Sequence, residues 1–235
     1  MGFIKDIIPI FKKHEIEFEK SFKEINDIYT FVFRSDKQID WQPGQHGVFT
    51  ITHDKIKKPT RAFSIASTSE DGYIEISTRL GEKPSEFKQA LMNLKPGMKM
   101  SMRGPIGGFY LHDSRPTLLI AGGIGITPFK SIVKSSNESS KIVPERFHLL
   151  YIDSKEEFIY RDAFNKAAEN NQLSVEYLSK REDLTESIEK FVKNYKNNGN
   201  YFIVGSPNMT KSISALLKNH GINKKNIIKD MFIGY

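Results

Sequence analysis

The chain of 235 residues is 38% hydrophobic and 27% charged, with a formal net charge of +7 and no cysteine. That composition suits a folded globular protein with room for one large domain or two small ones. It excludes disulfides, thiolate zinc sites, a cysteine nucleophile and cysteine-held iron–sulfur clusters.

Residues 1–14 read as an N-terminal arm or helix. Lys5 and Asp6 interrupt the apolar run of MGFIKDIIPIFKK, so it is not a secretory signal, and Asp6 stands where a myristoylation site needs Ser or Thr. Two readings fit Phe3, Ile4, Ile7 and Ile8: an arm packed on the following domain, or an amphipathic helix touching a membrane surface. No stretch reaches the roughly 20 apolar residues that cross a bilayer, and a cytoplasmic protein is expected.

From Glu15 the pattern is that of strands. Glu15–Phe22, Ile28–Phe33 and Val48–Thr52 alternate polar and apolar residues, and QPGQ at 42–45 marks a turn. Asp71-Gly72 signals a hairpin between FSIAST and YIEISTRL. One helix is predicted from Pro84 to Leu94, with Pro84 in its first turn and Lys95-Pro96-Gly97 ending it. Many short strands and a single helix predict an antiparallel β-barrel over residues 1–112.

Past His112 the rhythm changes. TLLIAGG, RFHLLYID, LSVEYLS and NYFIVGS are short apolar strands, separated by helices predicted over Thr127–Ser136, Lys155–Asn170, Leu184–Tyr195 and Asn208–His220. This alternation predicts an α/β domain over residues 113–235, a parallel sheet with helices on both faces.

The sharpest local signal is AGGIGITP, Ala121–Pro128, between a strand and a helix. Gly122, Gly123 and Gly125 permit a tight turn, Thr127 can cap the helix and Pro128 suits its first turn. Such a turn can hold a diphosphate on exposed N–H groups, or be a plain tight turn. Arg61-Ala62-Phe63-Ser64 offers an arginine fork for phosphate, an aromatic ring and a hydroxyl, although the tetrapeptide also serves structural roles. GPIGGF at 104–109 and VGSPNM at 204–209 complete the set. His14, His46, His53, His112, His148 and His220 show no metal-ligand spacing, and no metal site is expected. The basic excess is spread over both halves rather than gathered into the stripe that a nucleic-acid backbone requires, so no nucleic-acid partner is expected.

The order R-x-F-S, a serine-bearing turn and helix, G-P-x-G-x-F, A-G-G-x-G-x-T-P and G-x-P-x-M resembles the ferredoxin–NADP reductase superfamily over roughly residues 15–235. The resemblance implies a barrel that binds FAD, a nucleotide domain that binds NAD(P)H, and a flavin ring held at their junction. Carried over by position, Arg61 would bind flavin phosphate, Phe63 would pack on the ring and Ser64 would face its N5. Thr78 and Arg79 would line the flavin, with Lys83 and Ser85 at the diphosphate. Gly122, Gly123, Gly125, Thr127 and Pro128 would bind the pyridine nucleotide, with Gly205, Ser206, Pro207 and Met209 as the other wall. Phe232 and Tyr235 would act as a lid over the flavin, Phe232 alternatively belonging to a last strand.

Departures from the family pattern fall where acceptors are handled. Val204 stands where plant-type members have cysteine, and Gly234 where they have an acid. Asp153 could bind a ribose 2′-OH and favour NADH, whereas Ser179-Lys180-Arg181 resembles a 2′-phosphate pocket, and the reading leans to NADPH. The implied reaction passes electrons from NAD(P)H through FAD to a separate acceptor such as ferredoxin, flavodoxin or an oxygenase component. The alternatives are a reductase of free flavin and a non-catalytic binding or regulatory module.

Overall fold

The computed structural model describes residues 12–138, 142–169 and 173–231. The chain divides into two compact units, Met1–Tyr110 and Leu111–Tyr235.

The first unit holds strands β1 (Lys13–Ile25), β2 (Ile28–Arg34), β3 (His46–Ile51), β4 (Thr60–Ser64), β5 (Ile74–Arg79) and β6 (Lys99–Ile106), with helix α1 (Glu86–Met92) between β5 and β6. They form one sheet in the order β4-β3-β6-β1-β2-β5, antiparallel throughout. The period-2 alternation of β1 sends Ile16 and Phe18 inward and its charged residues outward. Aromatic rings then run through the core. Phe18 meets Phe33 at 5.7 Å, Phe33 meets Phe49 at 6.2 Å, Phe49 meets Phe63 at 5.8 Å and Phe63 meets Phe87 of α1 at 5.7 Å. Truncating one such buried ring typically costs about 3–5 kcal/mol.

Two local expectations are corrected. Asp71-Gly72 does not join a hairpin, because β4 and β5 are the opposite edges of the sheet. Asp71 instead caps a short 3₁₀ turn by accepting from the Thr68 N–H at 2.8 Å, and Gly72 closes it at φ 70°. The edges approach where the Ala66 N–H donates to the Glu75 carbonyl at 2.8 Å, which curls the sheet into a barrel. The helix also begins two residues later than expected. Ser85, extended at ψ 159°, is its N-cap, and Pro84 precedes the cap.

The second unit holds β7 (Thr117–Gly122), α2 (Thr127–Glu138), β8 (Phe147–Ile152), α3 (Arg161–Glu169), β9 (Leu173–Leu178), α4 (Arg181–Tyr195), β10 (Asn200–Gly205), α5 (Pro207–Asn219) and β11 (Ile227–Met231). Its sheet is parallel in the order β11-β10-β7-β8-β9. Leu118, Ile120, Leu150, Tyr201 and Ile203 pack with α4 and α5 on one face. The alternate residues Leu119, Leu149, Phe202 and Val204 are buried as well, while α2 packs against α3 and α3 against β9.

Here too boundaries move. Helix α3 starts at Arg161 rather than Lys155, because Asp153 accepts from the Lys155 N–H at 2.8 Å while Glu156 and Tyr160 take φ 57° and 62°. Helix α4 starts three residues earlier than expected. A fifth strand, β11, escapes the pattern because only its Ile227-Ile228 pair is apolar before Lys229 and Asp230.

A polar knot ties the amino-terminal ends of β7 and β10. Arg115 donates to Asn200 at 2.7 Å and to Asp113 at 3.0 Å, and the Asn200 amide donates to Asp113 at 2.8 Å. Burial alone would raise the Asp113 pKa, but hydrogen bonds from Arg115 and Asn200 outweigh it and hold the carboxyl below its ordinary 3.8. Its stabilising contribution is therefore full above pH 3.8 and fades as pH falls through the lower folded value. Asn200→Ala, which strips partners from both charges, is expected to cost about 1–3 kcal/mol in urea unfolding at pH 7. The gap from wild type should narrow as the carboxyl protonates in acid.

Candidate functional site

In the barrel, β4 carries the residues that matter. Alternation along the strand puts Arg61 and Phe63 on one face and Ser64 on the other. The Arg61 guanidinium donates to the Thr60 carbonyl at 2.8 Å and lies 5.7 Å over the Phe87 ring. Phe63 packs between Phe49 and Phe87, partly buried against the barrel core. Ser64 is directly opposite His46 on β3 and is only 3% exposed. Its hydroxyl is buried, with no hydrogen-bond partner among the described residues. Leaving such a group unpaired costs about 1–3 kcal/mol, which a polar ligand atom would recover.

Thr78 is buried, and its hydroxyl reaches the Arg79 carbonyl at 3.4 Å. Arg79 pairs with Asp27 at 2.8 Å, and the other Asp27 oxygen accepts from the Gly81 N–H at 2.9 Å. Lys83 is exposed, and the Ser85 hydroxyl caps α1 by accepting from the Lys88 N–H at 3.4 Å. The GPIGGF loop is fastened to β3 by the Gln45 amide, which donates to the Gly107 carbonyl at 3.0 Å. Asp27, Gln45, His46 and Lys88 carry no sequence signal that places them at this site. The QPGQ turn could have flagged Gln45, but Lys88 is masked by the apolar spacing of Phe87, Leu91 and Leu94.

In the second unit the chain leaves β7 toward β8 and β9, then crosses back to β10 and β11. The order reverses between β7 and β10, where open α/β sheets bind ligands beyond their carboxyl ends. The glycine turn ends β7, and Gly205 ends β10. At Gly125 a Cβ would lie 2.9 Å from the Val204 carbonyl oxygen, so the two backbones meet only through glycine. The Met209 sulfur sits against both Gly122 and Gly205. Ser206 caps α5 by accepting from the Met209 N–H at 3.3 Å, with Pro207 in the first helical position. Gly123, at φ 54°, faces Oδ2 of Asp153.

One expected role changes. Thr127 does not cap α2. It is the first residue of α2, with helical φ −51° and ψ −50°, and its buried hydroxyl donates back to the Ile124 carbonyl at 2.7 Å. Pro128 follows it in the first turn. Of Ser179, Lys180 and Arg181, Lys180 is the N-cap of α4 and Arg181 its first residue. Arg181 borders a surface depression lined also by Glu182, Thr185, Glu186 and Glu189. Asp153 is buried, with Oδ1 committed to the Lys155 N–H. Phe232, Tyr235 and residues 1–11 lie outside the described residues.

Among the described residues no group of three His, Cys, Asp or Glu side chains could hold a metal ion, and no helix is long and apolar enough to cross a membrane.

Residues 15–110 match the oxidoreductase FAD-binding domain family, and residues 119–215 match the oxidoreductase NAD-binding domain family. The chain is 26% identical over 199 residues to one component of the Na⁺-translocating NADH-quinone reductase of Actinobacillus pleuropneumoniae, covering 74% of this chain and 49% of that one. It is 26% identical over 207 residues to the toluate 1,2-dioxygenase electron transfer component of Pseudomonas putida, covering 83% and 60%. The chain thus spans about half the length of these curated relatives. In fold it is similar to the ferredoxin-NADP⁺ reductase of Plasmodium falciparum, with TM-score 0.81 at 13% identity over 97% of this chain and 99% of the other. An FAD-binding barrel followed by a pyridine-nucleotide domain makes this chain an oxidoreductase of the ferredoxin–NADP reductase superfamily.

Proposed function

We propose that the protein takes electrons from reduced pyridine nucleotide bound at the glycine turn of the second unit and passes them through FAD on the barrel to a separate acceptor. The observation that carries this reading is the buried Ser64 hydroxyl, which has no partner among the described residues. The residues fit the flavin: Arg61 offers a guanidinium for phosphate, and the Ser64 hydroxyl is a ready hydrogen-bond group for the ring. When bound, FAD supplies the step from two-electron to one-electron chemistry. The chain's own residues bind and orient. Ser64 holds one polar atom of the ring, while Gly122, Gly125 and the amino-terminal turn of α5 offer N–H groups and a positive helix end to a diphosphate.

NADH is proposed over NADPH because the carboxylate of Asp153 faces Gly123 of the glycine turn, where an acid can hold a ribose 2′-OH and repel a 2′-phosphate. The acceptor is proposed to be a protein, as in the dioxygenase electron transfer component named above, with ferredoxin, flavodoxin and an oxygenase component as candidates.

Two outcomes check these assignments. Ser64→Ala is expected to retain FAD and to slow its anaerobic reduction in stopped flow by about 100–1,000-fold, the usual worth of one positioned hydrogen-bond donor; an unchanged rate removes Ser64 from the reaction. Steady-state kcat/KM with a chemical acceptor should be at least about tenfold higher for NADH than NADPH, which corresponds to about 1.4 kcal/mol of discrimination. Equal values, or a preference for NADPH, reject the charge argument.

A further inference from the structure

Where β7 and β10 end, two glycines leave a gap that one side chain fills. A Cβ on Gly122 would lie 2.3 Å from the Met209 sulfur and 3.1 Å from its methyl carbon, and one on Gly205 would lie 2.8 Å from the sulfur. Both sulfur distances are too short for any real Cβ, so the seat of the thioether depends on two missing side chains. Met209 is the third residue of α5. Helical side chains lean toward the amino terminus of their helix, which carries this sulfur back to the strand ends. Ser206, Pro207 and Asn208 before it are exposed, and Met209 itself is only partly buried. Met100 and Met102, by contrast, are sealed in the barrel core.

A thioether is soft and apolar, and a weak acceptor at most. It rests on backbone without competing for N–H groups. Its sulfoxide is polar and chiral, with an oxygen that accepts hydrogen bonds. At Met209 that oxygen would enter between the glycine turn and the first turn of α5, whose N–H groups a diphosphate needs. Backbone closes the seat on both sides, so the added atom finds no slack.

We propose that Met209 is an oxidation site, at which conversion of the thioether to the sulfoxide weakens binding of the pyridine nucleotide. The inference rests on the reading that the second unit holds the nucleotide at the glycine turn. The oxidant is a peroxide. With hydrogen peroxide, a sulfur lone pair attacks one oxygen, and an S–O bond forms as the O–O bond breaks. The departing hydroxide takes the remaining proton and leaves as water. Sulfur is oxidised and the peroxide reduced. Methionine sulfoxide reductases, one for each epimer, reverse the change.

The test is calorimetric titration of NAD⁺, which cannot reduce a flavin, into the chain as purified, before and after hydrogen peroxide. Peptide mass mapping records which methionine has gained oxygen. Wild type with sulfoxide at Met209 should bind NAD⁺ about tenfold more weakly, the worth of one lost hydrogen bond to a charged group, and should recover after both reductases. Met209→Leu, or Met209→Ile should the Leu variant melt early, is compared with its own untreated sample and should lose nothing further. Met92, 40% exposed at the end of α1, serves as the control, and its sulfoxide alone should change nothing. A Met209 that stays unoxidised while Met92 reacts, an affinity unchanged by sulfoxide at Met209, or an equal loss in the Leu variant overturns the assignment and leaves the nucleotide reading intact. Untreated wild type that binds no NAD⁺ overturns that reading, and this inference with it.

Discussion

A hydroxyl shut away from water needs a partner, and the one on Ser64 has none among the described residues. The position is built rather than incidental. Ser64 ends β4 opposite His46, in a ladder that continues to Ile106 on β6. The GPIGGF loop is fastened nearby through Gln45. A barrel that holds its strands this firmly around an unsatisfied group keeps a fixed place for a ligand, at a cost in apo stability that binding reverses.

The second unit obeys a different constraint, the approach of one backbone to another. Gly125 lets the turn after β7 touch the carbonyl of Val204 at the end of β10. That contact joins the two strands at the reversal of the sheet order, where N–H groups and helix ends are free to face an anion. The Arg115–Asp113–Asn200 knot pins the same two strands at their other ends. The site thus opens at one end of a strand pair that is locked at the opposite end.

Much of this was legible in the residues. Alternation along β1 and the apolar runs of β7 to β10 gave the two architectures, and the glycine turn gave the nucleotide end. What stayed hidden depends on contacts distant in sequence. Asp71-Gly72 has hairpin chemistry, yet its flanking strands take opposite edges, because sheet order is decided by the other four strands. Thr127 looks like a helix cap but is drawn into the helix by the 3₁₀ turn before it.

The most direct measurement is anaerobic mixing of the wild-type protein, reconstituted with one equivalent of FAD, with NADH while the visible flavin absorbance is followed. The account predicts stoichiometric FAD uptake and prompt bleaching on mixing. A colourless protein after reconstitution, or a bound flavin that NADH leaves oxidised, would contradict it.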